Sequence, residues 1–249
     1  MRAWGWAVAI AVALAGSAAA AEPGLANKVY DPYVRKGVTE VELRGGRLAG
    51  GPLRGESGAV LELEHGISDR VSLAILAEWE HPAHEATRLD AIAVEGVAYL
   101  GQIPGLGVDV GGYLEYEQRI HNESGVLEGK LLLAKHAGRV HGLLNLIVEK
   151  PLTDRSDDND TEFGYAAQVT VDAPHNTQLG VQAFGDLGTD QRFGGRQPHY
   201  LGPVAKWEVR PGRGAGELEF EAAWLWPLGA ARDVANGQAR FVIEYERRF

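Results

Sequence analysis

The chain has 249 residues, with 24 Lys and Arg against 34 Asp and Glu and a formal net charge of -10. That acidic balance argues against nucleic acid as a partner, because phosphate binding needs a basic surface. There is no Cys, which excludes a disulfide scaffold and a thiol-linked lipid anchor.

The first element is a leader. Arg2 precedes an apolar run from Trp4 to Ala15, and Ser17 to Ala21 offer small residues for cleavage. Residues 1–21 therefore read as a secretory signal peptide. The run falls short of the roughly 20 apolar residues that a spanning helix needs. Cleavage removes Arg2 and leaves 23 basic against 34 acidic side chains. Residues 22–36, which contain Pro23 and Pro32, read as an extended periplasmic lead-in. Residues 37–249 read as a single β domain with no linker or second unit.

Helical periodicity is nearly absent after the leader, and period-two alternation dominates. It predicts strands over 37–46, 57–66, 70–80, 88–101, 107–120, 126–137, 139–150, 162–172, 177–186, 197–209, 216–228 and 237–249. The connections alternate in kind. Gly66–Asp69, Gln102–Leu106, Ala137–Gly138, Pro174–Asn176 and Arg210–Gly214 are compact turns. Arg47–Glu56, His81–Thr87, His121–Gly125, Thr153–Thr161, Gly188–Arg196 and Gly229–Asn236 are looser or more polar.

The two faces of these strands differ. One carries apolar residues with aromatics near the strand ends: Trp79, Tyr116, Tyr165, Trp207, Trp224, Trp226, Tyr245 and Phe249. Trp and Tyr prefer membrane–water interfaces, so this placement suggests a pair of aromatic girdles. A soluble β-sandwich would more often set them mid-strand. The other face carries charge, with Glu42, Glu62, Glu78, Glu95, Glu115, Glu128, Lys130, Lys206, Glu219 and Glu244 near strand centres. So many carboxylates cannot face hydrocarbon, and a lumen is the remaining place for them.

The last segment, Phe241 to Phe249, puts Phe241, Ile243, Tyr245 and Phe249 on one strand face. It resembles the C-terminal assembly signal of Gram-negative outer-membrane β-barrels, with Arg247 as a departure on the apolar face. Gly66-Ile-Ser-Asp-Arg70 is similar to turns common in that class. The resemblance implies an all-β, antiparallel, up-and-down transmembrane barrel of about 12 strands over 37–249. It also implies an outer-membrane location and recognition of the last strand by the barrel-assembly machinery. Outer-membrane lipid and lipopolysaccharide would surround the wall, and no cofactor would be needed.

The expected function is a narrow passive channel for small, preferentially cationic solutes, because Glu rings attract cations in a low-dielectric wall. These mid-strand charges would be its lining. Its main rival is a closed barrel acting through external loops, with the Glu residues paired to Lys130, Lys206, Arg44 and Arg119. A lipid-modifying enzyme is a third reading, weakened by scarce Ser (Ser57, Ser68, Ser72, Ser124 and Ser156 after the leader) and by the lack of a His-x-Ser-Asn-Gly pattern. His81, His84, His121 and His199 map to the external side and His65, His136, His141 and His175 to the periplasmic side. They read as exposed side chains with no metal role. Asp154, Asp157, Asp158 and Asp160 lack the glycine of a calcium-binding EF-hand loop and read as a solvated loop.

Overall fold

The computed structural model describes residues 24–120, 124–153, 159–210, 212 and 216–248. Twelve antiparallel strands close on themselves. They are β1 (Val38–Ala49), β2 (Ser57–Gly66), β3 (Val71–His81), β4 (Arg88–Ile103), β5 (Val108–Arg119), β6 (Gly125–Ala137), β7 (Val140–Leu152), β8 (Glu162–Ala173), β9 (Thr177–Thr189), β10 (Pro198–Val209), β11 (Glu217–Gly229) and β12 (Gly237–Arg248). Each pairs with its sequence neighbours, and β1 closes on β12 from Val38↔Arg248 to Ala49↔Gly237. Closure satisfies every strand edge, which an open sheet in lipid could not do.

The barrel is inside out. Leu61 is 44% exposed on the outer face, while the next residue, Glu62, is 1% exposed on the inner one. Period-two alternation therefore sends apolar residues outward and most charges inward, with Arg47, Lys135, Lys150 and Arg247 as outward exceptions near strand ends. Register shifts at Glu78/Trp79, Tyr99/Gly101 and Phe163/Gly164 mark local irregularities without reversing this pattern.

Strand β1 runs to Ala49, past the predicted end at residue 46. Gly45 and Gly46 look like loop in isolation, but their pairing with Phe241 and Arg240 of β12 keeps them in the sheet. Strand β9 likewise runs to Thr189, past 186.

Two rims result. The terminal rim holds the start of β1 and the end of β12, and the opposite loop rim holds residues 50–56 and 230–236. At the loop rim a 3-10 turn, Ala230–Asp233, folds over the opening. Ala231 and Ala235 pack with Leu48, Phe184, Tyr200 and Leu225 in an apolar cluster inside the barrel. Arg196 clasps Asp233 through two hydrogen bonds of 2.6 and 2.9 Å. The guanidinium holds the Asp233 carboxyl below the usual carboxylate range.

The expected periplasmic lead-in is corrected by the structure. Its described part, residues 24–36, runs inside the barrel from the loop rim to the terminal rim. Arg240 donates to the Gly24 carbonyl at 3.3 Å near the loop rim. At the other end the Gly37 N–H donates to the Gly66 carbonyl at 2.8 Å. The physical reason is twofold: the charged wall supplies partners, and the wall is thin where the segment passes. A Cβ on Gly46 would lie 2.1 Å from the Leu25 carbonyl oxygen, and one on Gly66 would lie 2.1 Å from that of Arg35.

Candidate functional site

The site is the occupied lumen, and it is built around Lys28 and Tyr30. Lys28 Nζ sits 3.0 Å from Glu42 and 3.2 Å from Glu62, carboxylates that β1 and β2 project side by side. Arg44, two residues after Glu42 and so on the same face, pairs with both carboxylates as well. Its Nε donates to the Ala26 carbonyl at 2.7 Å. Two cations and two carboxylates thus neutralise each other out of bulk water. Such pairing offsets the cost of burying the charges, and removal of one partner is expensive.

Tyr30 fills the centre and is 5% exposed. Asn145 of β7 accepts its backbone N–H and donates to its carbonyl, each at 2.8 Å. Its hydroxyl donates to Glu95 at 3.2 Å. The Tyr113 ring packs against it at a tilt of 58°, with ring centres 4.7 Å apart, and the Tyr113 hydroxyl lies between Glu95 and Glu115. The Lys130 ammonium lies 4.3 Å from the Tyr30 ring centre and 4.1 Å from that of Tyr113, within cation–π range. Toward the terminal rim, the Tyr33 hydroxyl donates to Asp109 at 3.0 Å and Arg35 pairs with Glu246.

Cavities remain on both sides of this plug. One of about 340 Å³ lies toward the loop rim and is lined by eight carboxylates against four basic side chains. Another of about 360 Å³ lies toward the terminal rim, with eight carboxylates against three basic side chains. The trios Glu78–Glu115–Glu117, Glu62–Glu64–Glu95 and Glu40–Glu244–Glu246 bring their oxygens within 4.8 Å of one another.

All ten expected lining residues face inward. Glu42, Glu62, Glu95, Glu115 and Lys130 are buried around the plug, while Glu78, Glu128, Lys206, Glu219 and Glu244 are half-buried. Lys130 pairs with Glu128 at 2.8 Å, Lys206 with Glu219 at 2.6 Å, and Arg119 with Glu117 at 2.7 Å. The aromatics face outward in two belts. Trp79, Tyr116, Tyr165, Trp224 and Trp226 are near the loop rim. Trp207 and Tyr245 are near the terminal rim, where Trp207 stacks on Phe220 at 5.3 Å. Phe249 lies outside the described residues.

Sequence reasoning missed Lys28, Tyr30, Tyr113 and Asn145. The available signal was an amide and a phenol on the inward parity of β7 and β5. His65, His136, His141 and His175 lie at the terminal rim and His81, His84 and His199 at the loop rim. His121, Asp154, Asp157, Asp158 and Ser156 fall outside the described residues. Asp160 accepts a hydrogen bond from Thr189 at 3.1 Å, and Ser68 Oγ accepts the Arg70 and Val71 N–H groups in its turn.

The chain matches no protein-family model and no curated protein. It is similar in fold to solved barrels. The COG4313 outer membrane channel from Pseudomonas putida F1 aligns with a TM-score of 0.61 at 12% identity, over 90% of this chain and 99% of that one. The KdgM porin aligns at 0.52 and 9% identity, over 84% and 99%. The same porin in complex with disordered oligogalacturonate aligns at 0.51 and 10%, with the same coverage. At these identities the likeness establishes the closed antiparallel β-barrel fold and nothing finer.

Proposed function

We propose that this protein is an outer-membrane barrel that passes small, preferentially cationic solutes through its Glu-rich lumen, with residues 24–36 setting the constriction. The observation that carries this reading is the pair of acidic cavities on either side of the Lys28–Tyr30 plug. Carboxylates lining a low-dielectric passage concentrate cations and repel anions. Passage is passive and needs no catalytic group.

The KdgM porin is described with an oligogalacturonate, an anionic sugar chain. The excess of carboxylates in this lumen argues for the opposite charge preference here. The reading also places the terminal rim in the periplasm, after removal of residues 1–21. The last strand then meets the assembly machinery, and the apolar outer face meets lipid and lipopolysaccharide.

The test is single-channel recording in a planar bilayer under a salt gradient. A reversal potential of cationic sign is expected, reduced in Glu95→Gln, Glu115→Gln and Glu219→Gln. Anion preference, or a potential unchanged in all three, would overturn the reading. A second reading is a closed barrel acting through its loops. It is favoured by the apolar cluster of Leu48, Phe184, Tyr200 and Leu225 inside the loop rim. Complete electrical silence from the folded barrel would select it.

A further inference from the structure

We propose that His136 and His141 form a binding site for a divalent transition-metal ion at the terminal rim, with Asp172 as its positioning residue. The two histidines are direct partners across the tight β6–β7 hairpin. Both lie on inward parity, so their rings meet over the mouth of the barrel. The two Nδ1 atoms face each other at 2.5 Å. The rings are near edge-to-face, with centres 4.7 Å apart, and the two Nδ1 atoms share one hydrogen bond, whose proton a metal ion would displace.

The outer nitrogen of His141 is already held. Its Nε2 lies 2.7 Å from Asp172 Oδ1 on β8, the neighbouring strand. A carboxylate that accepts the Nε2–H hydrogen bond favours the tautomer whose lone pair is on Nδ1 and fixes the ring plane. This is the arrangement by which a carboxylate orients and strengthens a metal-ligating imidazole. Gln178 donates to the same Asp172 oxygen at 3.3 Å and helps hold it. Two imidazole nitrogens bound to one ion at about 2.0–2.1 Å each sit roughly 3.3 Å apart in tetrahedral geometry. The rings therefore need to part by less than an ångström to admit an ion.

The pair opens onto a cavity of about 550 Å³, which His175 also lines. Space and water are thus at hand for the remaining coordination positions. The chemical class follows from the donors. Imidazole nitrogen suits Cu²⁺, Ni²⁺ and Zn²⁺, while Ca²⁺ and Mg²⁺ require oxygen. The site does not depend on the channel reading, since it is built from the hairpin and β8 alone. The ring of Tyr33 lies 5.7 Å from that of His136, so the ion would sit beside the lower end of the plug.

The experiment is titration of the full mature chain, without a His tag, in detergent micelles with CuCl2. Calorimetry gives the affinity, and electron paramagnetic resonance reads the ligands. One site is expected, with nitrogen hyperfine splitting from two imidazoles. His136→Ala and His141→Ala should each abolish it, and Asp172→Asn should weaken it ten- to a hundredfold. Ca²⁺ and Mg²⁺ in excess should not compete. Absence of binding, or a wild-type spectrum with oxygen ligands only, would overturn the proposal. So would binding undiminished in both alanine variants, since it would place the ion elsewhere. The spectrum of the unaltered protein decides the ligand set even if a variant folds poorly.

Discussion

Asn145 holds the backbone of Tyr30 as a neighbouring strand would. Its side-chain amide accepts the Tyr30 N–H and donates to the Tyr30 carbonyl, both at 2.8 Å, across 115 positions of sequence. A single amide thus satisfies the two backbone groups that the plug would otherwise bury unpaired at mid-lumen. Asn145 is itself fully buried, so neither side of the exchange is replaced by bulk water.

Asn145→Leu should therefore loosen residues 24–36 while the barrel stays closed. Leaving a buried donor and acceptor unsatisfied costs on the order of 1–3 kcal/mol. Limited trypsin digestion should cut faster after Lys28 and Arg35 in the variant. Equal cleavage rates would mean that the pair does not anchor the segment.

Arg44 is the cation whose loss should hurt most. Arg44→Met leaves Glu42 and Glu62 with Lys28 alone, and breaking a buried ion network by one partner costs about 3–5 kcal/mol. Urea unfolding of the barrel in micelles should show that loss. Adding Glu62→Gln should recover part of it by removing the stranded charge. No recovery in the double variant would show that Arg44 acts by packing and not by charge.

The outer face predicts the opposite chemistry. Ile75 is 57% exposed near the middle of β3, where lipid would meet it. Ile75→Arg should destabilise the barrel by about 2–4 kcal/mol in a bilayer. The same substitution at the inward Glu78, which lines the acidic cavity toward the loop rim, would put the charge among carboxylates and should disturb the barrel less. Equal effects at both positions would contradict the inside-out assignment.

The barrel was legible in the sequence because its side-chain period is two and its faces differ sharply in polarity. Glu62 between Leu61 and Leu63 carries that information locally. The inward aim of the charged residues followed from the same alternation. The path of residues 24–36 did not, because the segment has no period of its own and its partners come from seven strands. Nothing near Lys28 announces Glu42 and Glu62. The indirect trace lay in the wall: Gly46 and Gly66 are inward residues without side chains on a face otherwise crowded with charge, and each is where the plug's backbone touches the sheet. The longer extent of β1 was hidden for a related reason, since its glycines are held in the sheet by β12 from the far end of the chain.

The most direct measurement uses the absence of native cysteine. A Cβ on Gly58 would lie 3.8 Å from that of Ala26, the mean separation across a disulfide. The double variant Ala26→Cys with Gly58→Cys should cross-link under oxidation and tie the plug to β2. Single-channel current should be low and steady while the bond is intact, and should rise when it is reduced. Failure to cross-link in a folded barrel, or a current indifferent to reduction, would contradict a lumen whose passage is set by its own N-terminal segment.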